Sequence, residues 1–167
     1  MVRVKGIAVR SPLAMRRLGA CLGALLQEGD FVGLVGELGA GKTVLARGIA
    51  EGAGVPESQV ASPTCASVYP YRGRILLHHA DFYRLADLDE LYATGFFDLL
   101  GQGATVVEWI DRVPEAMPPD CLTLSIARTG ARTRRVELGP RGERHEALAK
   151  KLEQRYREVD AARRKAG

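Results

Sequence analysis

The chain has 167 residues, 46% hydrophobic and 26% charged, with a formal net charge of +4 and a pI near 9.1. That length suits one domain with a real core, and the balance is ordinary for a soluble globular protein. No apolar run approaches the roughly 20 residues of a membrane-crossing helix and no signal peptide is evident at the start, so a cytoplasmic protein with no membrane partner is expected.

Residues 2–9 alternate loosely and predict an edge strand. Ser11-Pro12 predicts a helix start, a hydroxyl N-cap followed by proline at the first helical position. Leu13, Leu18, Cys21, Leu22, Leu25 and Leu26 mark its buried stripe, and Gly29 is suited to end it in a left-handed turn. Phe31–Val35 is a short apolar run that predicts a buried strand. It leads into Gly36-Glu37-Leu38-Gly39-Ala40-Gly41-Lys42-Thr43, which fits G-x-x-x-x-G-K-[ST]. Helical spacing follows, with Val44, Leu45 and Ile49 on one side. Strand, loop and helix in that order predict a phosphate-binding P-loop. Its glycines let successive N–H groups curl into one nest, and the helix brings its positive end to the same place. Nucleotide contacts are expected from Glu37, Leu38, Gly39, Ala40, Gly41, Lys42 and Thr43. Lys42 is expected to reach the β- and γ-phosphates, and the Thr43 hydroxyl to take a position on Mg2+.

Ser62-Pro63-Thr64 reads either as a turn or as a switch loop whose Thr64 hydroxyl senses the γ-phosphate. Residues 67–71 and 74–80 flank an Arg72-Gly73 turn and predict a hairpin. The second arm is apolar and ends in Asp81, which is what a Walker-B metal site requires. His78 and His79 precede it and read as metal ligands or as packed residues; neighbours on a strand point to opposite faces, so at least one is packed or at the surface. Arg84 reads as a surface ion pair or as an approach to phosphate. Asp87–Tyr92 opens a helix with acids in its first turn, and Phe96, Phe97, Leu99 and Leu100 continue its apolar face. Ala104–Val107 predicts another buried strand, ending in Glu108-Trp109. Glu108 there holds a metal, positions a water, or serves the turn that follows. Trp109 reads as core or as a shield over the site. Pro114, Pro118 and Pro119 make an irregular connector.

Residues 122–127 and 133–138 predict a second hairpin around Thr129-Gly130. Arg128, Arg132, Arg134 and Arg135 cluster there, as an anion-facing rim or as the solvent face of an edge pair. Residues 143–164 predict an amphipathic helix with Leu148, Leu152, Tyr156 and Val159 on one stripe and a frayed end. The cysteines, Cys21, Cys65 and Cys121, are odd in number and far apart, which suggests neither a zinc site nor a disulfide. The basic excess is compatible with an RNA-associated partner, although no RNA-binding module signature is present.

Taken together, Gly36–Thr43, Ser62-Pro63-Thr64, the run from His79 to Leu85 and Glu108-Trp109 resemble the TsaE (YjeE) family of bacterial ATPases. The resemblance runs from about Ile7 to about Leu138. That family works in making threonylcarbamoyladenosine in tRNA. It implies ATP and Mg2+ at Lys42 and Thr43. It implies Thr64 and Asp81 as switch residues near the γ-phosphate and the metal, and Glu108 as a Mg2+ ligand or water-orienting group. It places Ser11 near the adenine and Arg132 against the nucleotide. The implied partners are the TsaD and TsaB proteins, with tRNA reached only through that complex. Two positions depart from the family pattern: Cys65 stands where an aromatic residue is common, and Ile110 where proline is usual.

The expected architecture is an α/β, P-loop NTPase-like domain over 1–140. Its sheet is mixed and largely parallel, flanked by helices on both faces, with β-hairpin insertions at 67–80 and 122–138. A basic amphipathic helix at 141–167 follows it. The expected reaction is hydrolysis of ATP to ADP and phosphate. Lys42, Glu108, Asp81 and Thr64 form its catalytic set, and Thr43, Glu108 and Asp81 its metal site. A small P-loop kinase and a nucleotide-gated binding module are the competing readings.

Overall fold

The computed structural model describes residues 4–60 and 68–167. Its strands are Val4–Val9 (β1), Phe31–Gly36 (β2), Val68–Arg72 (β3), Leu76–Asp81 (β4), Ala104–Glu108 (β5), Cys121–Arg128 (β6) and Arg134–Arg141 (β7). All seven join one sheet in the order β1-β7-β6-β2-β5-β4-β3. The inner pairings, β6–β2, β2–β5 and β5–β4, are parallel. The outer ones, β1–β7, β7–β6 and β4–β3, are antiparallel. The sheet is therefore mixed in equal parts rather than largely parallel as expected. Two of the antiparallel pairs are the hairpins, whose short turns allow only that pairing, and the third comes from β1 running antiparallel to β7. The hairpins are not insertions either, because β4 and β6 also pair in parallel with the central strands.

Helices cover both faces, as expected. Pro12–Leu25 (α1), Lys42–Gly52 (α2) and Glu143–Ala166 (α5) bury the larger core against one side of the sheet. Leu88–Ala93 (α3), Phe96–Leu99 (α4) and the 3-10 turn Ile110–Arg112 cover the other. Ser11 caps α1, its hydroxyl accepting from Ala14 N at 3.0 Å. Leu13 is 57% exposed, against expectation. It lies five residues from Leu18, out of phase with the stripe formed by Ala14, Met15, Leu18, Cys21 and Leu22. The helix also stops at Leu25, before Gly29, which takes its positive φ of 91° in the following turn.

The pairing of α1 with α2 is unusually close. A Cβ on Gly19 would lie 2.4 Å from Leu45 O, and one on Gly23 2.0 Å from Ile49 O. In return, a Cβ on Gly48 would lie 2.2 Å from Arg16 O, and one on Gly52 2.0 Å from Ala20 O. Two glycines four residues apart on each helix let the backbones touch, which fixes α2 and the loop that leads into it.

The single helix expected after Asp87 is two short ones, because Gly95 takes φ 78° between α3 and α4. The expected stripe of α5 is buried at Leu148, Leu152 and Tyr156, and the helix continues to Ala166 rather than fraying at Arg163. Its first turn is fastened to the start of β2. Arg144 grips the buried Asp30 through Nε–Oδ1 at 2.9 Å and Nη2–Oδ2 at 2.7 Å. The buried His145 accepts the Phe31 N–H at 3.2 Å through Nε2. Among the described residues, no helix is long and apolar enough to cross a membrane.

Candidate functional site

The site forms where β2 ends and α2 begins, at the carboxyl ends of the parallel strands. Gly36 has room for no side chain: its Cβ would lie 2.9 Å from Ile126 O on β6. Gly41 takes φ 116° as the N-cap of α2 and has no side chain with which to cap it. Among the described residues, the first N–H groups of α2 therefore have no intrahelical partner and no cap from Gly41.

Lys42 is 5% exposed. Its ammonium donates to Gly36 O and, at 2.8 Å, to Glu37 O. It also lies 3.7 Å from the centre of the Trp109 ring. Burial lowers the Lys42 pKa, opposed by Glu108, Asp111 and Asp81. Trp109 holds a left-handed φ of 60°, rare for a bulky residue. Its N–H is fixed on Leu34 O at 3.1 Å, and its ring packs on Tyr83 with centres 4.8 Å apart. It is thus half-buried and lies over Lys42, in keeping with the shield reading.

Glu108 is almost fully buried and divides its carboxylate between two partners. Oε1 accepts from the Thr43 hydroxyl at 2.7 Å, and Oε2 lies 2.8 Å from His79 Nε2. Asp81 is its register neighbour across β4–β5. Asp81 Oδ1 accepts the Tyr83 N–H at 2.8 Å. Burial raises the Asp81 pKa, and the neighbouring Glu108 adds to the rise, whereas the Tyr83 N–H, His79 and Lys42 oppose it. A cavity of about 530 Å3 opens beside the loop, lined by Glu37, Leu38, Ala40, Trp109, Asp111 and Arg128 among others. That volume is within the range of small-molecule sites.

The structure therefore brings together Lys42, Thr43, Asp81 and Glu108. The donor set is sparse: among the described residues no three His, Cys, Asp or Glu side chains converge as a metal cage. One hydroxyl and one or two carboxylates suit Mg2+, which keeps several waters and shares substrate phosphates. The uncapped start of α2 and the glycine-only backbone suit an anion. Ser11 spends its hydroxyl on capping α1, and Met15 one turn later abuts Gly41, whose Cβ would lie 3.5 Å from Met15 Cε. Arg132 is exposed in the β6–β7 turn. Thr64, with Ser62, Pro63 and Cys65, lies outside the described residues.

Sequence reasoning weighed His78 and His79 together as metal ligands or as packed residues and gave His79 no carboxylate partner. The signal was present: residues 79 and 81 of one strand share a face, so the histidine had to lie on the side of Asp81. It also left Arg134 in a general cluster. Arg134 instead reaches the loop, Nε donating to Ala40 O at 2.9 Å and Nη2 to Gly39 O at 3.4 Å. Ile110, where the resemblance led one to expect proline, is fully buried, and a Cβ on Gly33 would lie 2.9 Å from it.

A family model described as "Threonylcarbamoyl adenosine biosynthesis protein TsaE" matches residues 9–136. The chain belongs to the TsaE family. That family has its role in biosynthesis of threonylcarbamoyladenosine in tRNA. Relatives named as tRNA threonylcarbamoyladenosine biosynthesis protein TsaE include one from Streptomyces coelicolor, 44% identical over 78% of this chain and 93% of its own length. The Treponema pallidum TsaE is 40% identical over 70% of this chain and 87% of its own length. The Bacillus subtilis TsaE is 35% identical over 85% and 89%. The crystal structure of Bacillus subtilis YdiB superposes with a TM-score of 0.73 at 28% identity, covering 93% of this chain and 98% of that one.

Proposed function

We propose that this TsaE-family chain is a P-loop NTPase-like, Mg2+-dependent ATPase that hydrolyses ATP to ADP and phosphate. Its hydrolysis drives turnover of a TsaD–TsaB complex in tRNA threonylcarbamoyladenosine formation. The observation that carries this reading is the 2.7 Å hydrogen bond from Thr43, in the glycine loop, to Glu108, at the end of β5. It ties the phosphate-binding element to a buried carboxylate on the neighbouring parallel strand, as a hydrolase of this kind requires.

The loop N–H groups and Lys42 bind the β- and γ-phosphates. The burial of Lys42 leaves its charge poorly screened, so it acts strongly on any phosphate beside it. Thr43 and Glu108, with Asp81 next to them, would hold Mg2+, which supplies positive charge to the β- and γ-phosphate oxygens. Glu108 and Thr64 are the candidates for orienting the attacking water. Trp109 covers Lys42 and limits solvent on that side. Ser11 is assigned to the adenine side, and Arg132 to the flank of the nucleotide.

Arg84, Arg112, Arg128 and Arg132 are all exposed. Slow hydrolysis alone and faster hydrolysis with the partner complex are therefore expected, since an arginine contacting the transition state is worth about 10³-fold or more. Phosphate release measured with and without TsaD–TsaB tests this, with Lys42→Ala as the inactive reference. Equal rates would remove the partner from the mechanism, and a phosphorylated acceptor in place of free phosphate would make the protein a kinase. A Glu108→Ala protein that supports many cycles of tRNA modification without hydrolysis would make it a nucleotide-gated binding module.

A further inference from the structure

We infer that Arg134 is a positioning residue that sets the glycine loop for its ligand and locks the β6–β7 turn to it. The guanidinium of Arg134 is shared between two backbone segments. On one side Nε donates to Ala40 O at 2.9 Å and Nη2 to Gly39 O at 3.4 Å. On the other, Nη1 donates to Thr133 O at 2.9 Å and Gly130 O at 3.1 Å. A planar fork is suited to this, because its donors have fixed directions.

The consequence follows from peptide geometry. In a trans peptide the C=O and the next N–H point in opposite directions. Holding Ala40 O outward therefore turns the Gly41 N–H the other way, into the concave side of the loop. The Ala40 N–H is already committed to Glu37 O at 3.0 Å. The loop is thus pinned by its own turn and, from behind, by Arg134. Because the same guanidinium closes the turn at residues 130–133, filling the loop and ordering the turn are one event. Linkage makes that coupling reciprocal. The turn itself is held by Thr129 N–H and Gly130 N–H on Thr133 O at 3.0 and 3.3 Å.

This inference rests on the reading of the loop as a triphosphate cradle, and the test separates the two. Nucleotide affinity, steady-state hydrolysis and amide exchange are measured on the full chain with Mg2+ and ATP. The proteins are wild type, Arg134→Gln, Arg134→Lys and the exposed, charge-matched control Arg141→Gln. In Arg134→Gln the affinity for ATP should fall about ten-fold or more, as expected for lost charge-assisted hydrogen bonds. The kcat at saturating ATP should change much less than KM. Arg134→Lys should recover part of the affinity, and Arg141→Gln should match wild type. In wild type, ATP should slow exchange at Thr129 and Gly130, and in Arg134→Gln that protection should disappear. Wild type that binds ATP with unchanged exchange at those two amides overturns the inference alone, even where the variant proves unstable. So does an Arg134→Gln protein that binds as tightly as wild type. A wild type that binds no ATP overturns the proposed function and this inference with it.

Discussion

Thr43 and Glu108 stand 65 residues apart in the chain, yet one hydroxyl and one carboxylate oxygen meet at 2.7 Å where α2 begins beside β5. Glu108→Gln keeps the shape and still lets Oε1 accept from Thr43, but removes the charge. ATP hydrolysis should fall by about 10²-fold or more, the usual scale for a positioned acid–base or water-orienting group. Nucleotide binding measured without Mg2+ should change little. Turnover equal to wild type in a phosphate-release assay would remove Glu108 from the mechanism.

The opposite oxygen of Glu108 lies 2.8 Å from His79 Nε2, with both side chains buried. Through that contact His79 is expected to fix the plane of the Glu108 carboxylate. If Glu108 holds the proposed Mg2+, His79→Ala should lower kcat by about 10- to 100-fold, the range for a group that orients such a ligand. KM should move far less. His79→Gln retains a polar group near Oε2 and should recover part of kcat. A loss confined to melting temperature, with kcat unchanged in the folded fraction, would reduce His79 to a packing residue.

The legible and illegible parts of this chain differ in range. The strand–glycine loop–helix at 31–52, the hairpin turns and the Ser11 cap are written in short stretches, because each depends on local backbone geometry. Asp81 and Glu108 were legible as strand ends, and parallel pairing of β4 with β5 then puts them side by side. The balance of the sheet was not legible, since nothing within a hairpin says which further strand each arm will join. Arg134 was hidden because strand alternation gives its face but not the loop carbonyls, 94 residues away in sequence for Ala40, that it meets there. The Asp30–Arg144 grip was hidden for the same reason, being a contact across 114 residues.

The glycine pairs between α1 and α2 carry a prediction about how the site is held. A methyl at Gly48 would meet Arg16 O at 2.2 Å, and backbone at that distance has no rotamer with which to yield. Gly48→Ala therefore gains helix propensity yet should destabilise the protein, by about 1–3 kcal/mol as overpacking does. Because α2 starts at Lys42, separating the helices also moves the loop. Chemical denaturation should show the loss, and ATP affinity should weaken with it. A variant more stable than wild type would mean that the two backbones are not in contact.

The junction between α5 and β2 should make stability depend on pH. Burial pushes the His145 pKa down from its ordinary value of 6.5, with Asp30 and Arg144 acting in opposite directions as smaller influences. The folded state therefore prefers the neutral ring, which suits a nitrogen that accepts the Phe31 N–H. Above the unfolded value near 6.5, folded and unfolded chains both hold a neutral ring and the full contribution is present. As pH falls through and below that value, the unfolded chain takes up a proton that the folded one resists, and stability declines. His78 is lowered by burial in the same way and adds a slope of the same sign. Each such histidine contributes at most about 1.4 kcal/mol per pH unit across the window between its unfolded and folded values. In His145→Gln the amide oxygen can accept the Phe31 N–H without titrating. Unfolding free energies measured between about pH 5 and pH 8 should therefore fall less steeply on the acid side for the variant than for wild type. Parallel curves for the two proteins would mean that His145 is not the group being titrated.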